Sequence, residues 1–204
     1  LRGFLFLGVN YLAHIYLSRD HQEELLGNFI ADAVKGRQFY DYPEAVKQGI
    51  LLHRFIDDYT DTHPIVLETK ILFRPIYHKL SPILVDILYD HFLAKNWLYY
   101  HEVPLRQFVD QAYNFLEQRK AEMPERIKAM LPYMIEHDWL FNYQYKEGIE
   151  RTLLGMSKRV RGGEVLKFGW RDLEPVYEVV QDHFKEFMHA IDGAVTEWRQ
   201  DYIK

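Results

Sequence analysis

The run Gly49-Ile50-Leu51-Leu52-His53-Arg54-Phe55-Ile56-Asp57-Asp58-Tyr59-Thr60-Asp61-Thr62-His63 constrains the fold more than any other stretch of this sequence. Read as a helix, it puts Gly49, His53, Asp57 and Asp61 on one stripe, because side chains four residues apart share a face. Ile50, Leu51, Leu52, Phe55 and Ile56 flank that stripe. An imidazole and carboxylates set in so much apolar surface are costly to bury without a partner. A divalent metal ion is a partner that suits such a set.

Neighbouring segments repeat the pattern. Asn10 to Leu17 reads as a short apolar helix carrying His14, and Glu23 to Val34 as a helix carrying Asn28 and Asp32, with Gly36 as its stop. Pro43 suits the first turn of the central helix, and His63-Pro64 ends or bends it. Ser81 and Pro82 read as N-cap and first residue of a helix to about Tyr100, apolar nearly all round except at Asp86, Asp90 and His91. Further helices are expected from Pro104 to about Glu122, after Pro124, over Glu136 to Tyr145 and over Glu147 to Val160. Gly162-Gly163 is then a break, and Asp172 caps a last long helix with Pro175 in its first turn. With no convincing alternating strand, repeat or linker, the expected fold class is all-α, one irregular multi-helix domain over residues 9–204. Leu1 to Gly8 is apolar, too short to span a bilayer, and reads as a non-native or upstream extension.

A chain of 204 residues, 48% hydrophobic, can bury a sizeable core. It contains no cysteine, so disulfides and thiolate metal sites are excluded, which fits a reducing cytoplasm. A formal charge of −5 argues against nucleic acid as the main partner, and nothing suggests a membrane one. The charge is uneven, however: Arg151, Lys158, Arg159, Arg161, Lys167 and Arg171 face only Glu164 in their segment. Such a segment suits an acidic partner, or is simply a solvated helix end.

A lone buried carboxylate says little, because an arginine often satisfies it. Here His14, the pair Asn28 and Asp32, the stripe His53, Asp57 and Asp61, and the set Asp86, Asp90 and His91 all lie on apolar helices. Packing those helices together brings the polar stripes to one point, a hard-cation site for Mn²⁺, Mg²⁺ or Fe²⁺, with zinc as another option. Arg54 is spaced to pair with Asp58 within the helix, so Asp58 is left out of the site; alternatively its guanidinium fork suits a phosphate. Two further motifs read as structural: the doublet His137-Asp138 beside Trp139, and Glu186-x-x-His189, whose second copy is missing.

The blocks Asn10-Tyr11-Leu12-Ala13-His14, Gly27-Asn28-Phe29-Ile30-Ala31-Asp32, Gly49-Ile50-x-x-His53-Arg54-x-Ile56-Asp57-x-x-Thr60-Asp61 and Asp86-x-x-x-Asp90-His91-Phe92-Leu93-Ala94-x-x-Trp97 stand in that order. Together they resemble the acyl carrier protein phosphodiesterase family, also called acyl carrier protein hydrolase, a divergent relative of the HD-type metal phosphohydrolases. The resemblance continues more weakly through Trp139, Tyr143, Leu154, Met156 and Arg159. It implies an all-helical fold like that of the HD-type enzymes and a Mn²⁺-dependent hydrolase in the setting of fatty acid biosynthesis. The substrate would be holo acyl carrier protein, cleaved to 4′-phosphopantetheine and the apo protein. The expected metal ligands are then Asp32, His53, Asp57, Asp86 and Asp90, with His14 or His91 as general acid or base, Arg54 on the phosphate and Asp61 orienting a ligand. Two other readings stay open: a metal-dependent phosphohydrolase of a nucleotide or other small phosphoester, and a helical binding module with a purely structural polar core.

Overall fold

A computed structural model describes residues 10–19 and 21–202; the reading of residues 1–8 as an extension lies outside them. Among the described residues there is no strand, and the chain is all-α. The described residues form eleven α-helices in turn: α1 (Tyr11–Leu17), α2 (Gln22–Ile30), α3 (Glu44–Thr62), α4 (Pro64–Tyr77), α5 (Ser81–Lys95), α6 (Leu105–Gln118), α7 (Glu125–Glu136), α8 (Trp139–Asn142), α9 (Lys146–Arg159), α10 (Gly169–Leu173) and α11 (Tyr177–Tyr202). Short 3₁₀ turns join several of them. No helix among the described residues is long and apolar enough to cross a membrane.

Helix α5 is the hub. Leu84, Val85, Ile87, Leu88, Phe92 and Leu93 point to different sides of it, yet all are inaccessible to solvent. A helix apolar all round has to be enclosed, and α1, α4, α9 and α11 pack around it. Helices α2 and α3 cross at two glycines. A Cβ on Gly27 would lie 2.0 Å from the Val46 carbonyl oxygen, and one on Gly49 would lie 2.1 Å from that of Glu24. Only hydrogen at both positions lets the two backbones meet this closely. Gly49 heads the stripe that carries His53 and Asp57, so the crossing brings that stripe against α2.

Punctuation in the sequence accounts for most boundaries. His63 is extended (φ −66°, ψ 128°) ahead of Pro64, which opens α4, and Gly162 takes a left-handed φ of 72° at the predicted break. Three expectations need correction. Ser81 is the first residue of α5 rather than its N-cap, because its Oγ donates to the His78 carbonyl 2.8 Å away. The segment over Glu136 to Tyr145 is interrupted at Asp138, whose φ of 47° leaves only the single turn α8. Asp172 does not cap the last helix: it lies in α10, accepts a 2.7 Å hydrogen bond from the Tyr77 hydroxyl, and is followed by a 3₁₀ turn holding Pro175.

Candidate metal centre

Where α1, α2 and α3 meet, two imidazoles stack at 4.1 Å between ring centroids with 20° between planes: His14 from α1 and His53 from α3. Both are buried. Asn28 of α2 holds them. Its Nδ2 donates to the His14 carbonyl at 2.9 Å and to Ser18 Oγ at 3.0 Å, which turns its Oδ1 toward the rings as an acceptor. His14 Nδ1 lies 2.7 Å from that Oδ1, and His53 Nδ1 lies 2.9 Å from the Asn28 carbonyl oxygen. Each ring therefore spends its Nδ1–H on Asn28 and presents Nε2 on the other side.

Both Nε2 atoms face carboxylates. His14 Nε2 is 3.3 Å from Asp57 Oδ1, and His53 Nε2 is 3.2 Å from Asp57 Oδ2 and 3.4 Å from Asp32 Oδ1. His14 Nε2 is buried and makes no hydrogen bond of acceptable geometry. Ligand atoms of His14, His53 and Asp57 lie within 4.8 Å of one another, so this group could hold a metal ion. A buried nitrogen lone pair without a partner, beside two carboxylates, is what a cation would satisfy, and the donors suit a divalent ion.

The electrostatics agree with that geometry. Burial opposes a charge on His53, but hydrogen bonds to Asp32 and Asp57 prevail and raise its pKa to about 9. Burial, then the neighbouring His53, hold His14 below the ordinary imidazole range against the pull of Asp57. Burial pushes the Asp57 carboxyl up, and the two imidazoles overcome it, keeping the group well below the usual carboxylate range. The raised value favours the charged form of His53 between the two carboxylates when no metal is bound.

The remaining expected site residues are distributed differently. Asp86 of α5 is part-buried; burial and then the charges of Asp57, Asp61 and Asp32, against Lys70, push its carboxyl up to about 7. Asp90 is fully buried and accepts the backbone N–H groups of Leu12 and Ala13, each at 2.9 Å, so both oxygens cap α1 from a neighbouring helix. Asp61 pairs with Lys70 of α4 at 2.7 Å. Arg54 donates to the Gly36 carbonyl at 3.1 Å and covers the Phe39 ring at 4.8 Å, and among the described residues it pairs with neither Asp57 nor Asp58. His91 is on another side of α5, with Nδ1 2.8 Å from the Tyr143 carbonyl oxygen and Nε2 3.1 Å from the Tyr177 hydroxyl. Asp138 pairs with Arg106, and Glu186 and His189 are exposed on α11. The organising role of Asn28 is missing from the expected site. Its signal was the Gly27-Asn28 pair, a close-approach glycine beside an amide.

The model of the acyl carrier protein phosphodiesterase family matches residues 9–191. Similar proteins carrying that name include one from Enterobacter sp. (strain 638), 35% identical over 180 residues, covering 88% of this chain and 93% of the relative. Others are from Klebsiella pneumoniae (strain 342), 34% identical, and Salmonella newport (strain SL254), 33% identical, each with the same coverage of 88% and 93%. No solved structure matches the chain. The matched span takes in α1 to α5, and with them His14, Asn28, Asp32, His53 and Asp57, so the chain belongs to the acyl carrier protein phosphodiesterase family.

Proposed function

We propose that the protein is a metal-dependent phosphodiesterase that hydrolyses holo acyl carrier protein to 4′-phosphopantetheine and the apo carrier. The observation that carries this reading is the pair of buried imidazoles whose Nδ1 atoms are taken by Asn28 and whose Nε2 atoms converge on Asp57 and Asp32. The names of the relatives supply the substrate. His14, His53, Asp57 and Asp32 are the ligands in this reading. A mixed imidazole and carboxylate set accepts a range of first-row divalent ions, and the family resemblance selects Mn²⁺ among them, with Fe²⁺ or Mg²⁺ as substitutes. Kinship with the HD-type phosphohydrolases rests on the sequence resemblance alone.

When bound, a divalent cation supplies Lewis acidity toward a phosphoryl oxygen and makes water a stronger acid. The chain does the rest. Asn28 fixes both imidazoles in the tautomer that offers Nε2, and the stacked rings keep their lone pairs side by side. Proton transfer is assigned to Asp86, which feels the charges of Asp57 and Asp32, rather than to His91, whose two nitrogens are engaged by Tyr143 and Tyr177. Asp90 secures the N-terminus of α1 and so the position of His14.

The exposed cations Arg151, Lys158, Arg159, Arg161, Lys167 and Arg171 are the proposed docking surface for an acidic carrier. The cysteine-free composition supports a cytoplasmic setting. Mass spectrometry of holo carrier protein incubated with and without Mn²⁺ tests the reading: a loss of the phosphopantetheinyl mass only with metal is expected. Turnover of small phosphodiesters but not of the carrier would replace it with the small-phosphoester reading. Metal-independent binding without turnover would leave a binding module.

A further inference from the structure

A cavity of about 530 Å³ lies away from the imidazole pair. It is a cleft between the end of α7, α8 and α9, and its volume is that of a small-molecule site. Three cations line it, Arg151, Lys158 and Arg159, against the single carboxylate of Glu136. Arg151 and Lys158 are exposed and make no ion pair among the described residues. Arg159 lies back on its own helix: Nε donates to the Gly155 carbonyl at 3.1 Å, and a Cβ on Gly155 would meet its Nη2 at 2.9 Å. Its guanidinium stands 5.9 Å from the centre of the Trp139 ring, which lines the same cleft. His137, from the doublet that the metal site does not use, adds a donor to the wall, edge-on to Tyr133 at 4.0 Å.

Two unpaired cations and a glycine-seated arginine around an aromatic wall make a charge-assisted cradle with an apolar side. We infer that this cleft binds a small phosphate-bearing anion with an apolar body, at a site separate from the His14–His53–Asp57 group. A phosphomonoester fits both halves: its oxygens meet Arg151 and Lys158, and its body lies on Trp139. An inorganic anion would use the charge alone, and a neutral amphiphile the wall alone. The inference stands independently of the proposed reaction. The ligand could be a free arene phosphate or the phosphopantetheine released by that reaction.

The test is isothermal titration calorimetry on the full chain with phenyl phosphate, 4′-phosphopantetheine, inorganic phosphate and benzyl alcohol, each with and without EDTA. Both organic phosphates should bind saturably and at least about 10-fold more tightly than inorganic phosphate or benzyl alcohol, regardless of EDTA. Replacing both cations (Arg151→Gln with Lys158→Gln) should weaken that binding by about 10-fold or more, the scale of losing charged hydrogen bonds. Arg161→Ala, outside the cleft, should leave it within about 2-fold. Whichever organic phosphate binds more tightly identifies the source of the ligand, and either result supports the site. No saturable binding up to millimolar ligand would overturn the inference. So would binding abolished by EDTA, or binding kept in the double variant with its fold intact by circular dichroism.

Discussion

Two regions of one core use buried histidine in opposite ways. At the meeting of α1, α2 and α3, His14 and His53 spend one nitrogen each on Asn28 and turn the other toward a carboxylate, and His53 rises to about 9. On another side of α5, His91 has both nitrogens engaged, by the Tyr143 carbonyl and the Tyr177 hydroxyl, and pairs with no carboxylate among the described residues. Burial is the main influence there, and it lowers the imidazole to about 4. Burial is common to both regions. What separates them is what the second nitrogen faces, shared carboxylates for His14 and His53 and a phenol hydroxyl for His91, and that distinguishes a candidate metal centre from a packed polar anchor.

The comparison breaks most directly at Asp57. Asp57→Ala removes a carboxylate facing both Nε2 atoms while deleting little core volume, since its side chain is half exposed. Turnover of holo carrier protein should fall by more than the roughly 100-fold upper cost of losing a group that only orients ligands, while helical content by circular dichroism stays close to the parent. Near-parental turnover in the folded variant would remove the centre. Asn28→Ala leaves every proposed ligand in place and frees both rings. Affinity for Mn²⁺, measured by calorimetry, should drop about 10- to 100-fold, the usual cost of losing a group that orients ligands.

His91→Phe sharpens the other half. Losing the Tyr143 and Tyr177 hydrogen bonds should cost about 1–3 kcal/mol in urea unfolding. Affinity for Mn²⁺ should stay within about 2-fold of the parent; a loss matching that of Asn28→Ala would mean that His91 belongs to the centre after all.

The two regions also differ in what the sequence made legible. The i,i+4 pairing of His53 with Asp57 was readable because it lies within one helix. The glycine at position 49 marked the face that meets α2. One turn further on, Asp61 leaves the group, because Lys70 arrives from α4 to pair with it. Asp90 was unreadable as a cap: its role depends on where the first turn of α1 lands against α5, a tertiary fact with no local signal. His91 sits one residue from Asp90 and therefore about 100° around the helix, so the two could not both face one point. Asp32 lies past the end of α2 in a 3₁₀ turn, yet it still reaches His53, so the expected longer helix missed the backbone while keeping the contact.

The pH dependence of the metal-free protein probes the same contrast. His53 has a folded pKa above the ordinary value of about 6.5, so its contribution to stability is fully present below about 6.5 and is lost as pH rises through about 9. Its size is on the order of 1–3 kcal/mol, readable as a falling urea midpoint between those limits in EDTA. Metal binding needs the neutral ring, so the affinity for Mn²⁺ should climb over the same interval and level off above it. His91, already neutral across that range, should contribute no slope, and the His91→Phe variant should keep the parental profile. A flat urea midpoint from pH 6.5 to 9 would mean that His53 does not carry the proton.

The smallest expected effect concerns the approach of substrate. Arg161, Lys167 and the rim residues Lys158 and Arg159 are exposed, whereas Arg171 is paired with Asp172 at 2.7 Å. Exposed charges steer an acidic protein over distances comparable with the Debye length, about 10 Å at 0.1 M salt. For the parent, kcat/KM on holo carrier protein should fall steeply as salt rises through that range. Replacing Lys158, Arg159 and Arg161 with Ala should flatten the slope and lower kcat/KM by a few-fold at low salt, mainly through KM. The Asp57→Ala loss, by contrast, should not be relieved by salt at any concentration, because it removes a ligand rather than an encounter. Identical salt slopes in parent and triple variant would show that the carrier docks elsewhere, and would leave the metal centre and its family as the whole basis of the proposed activity.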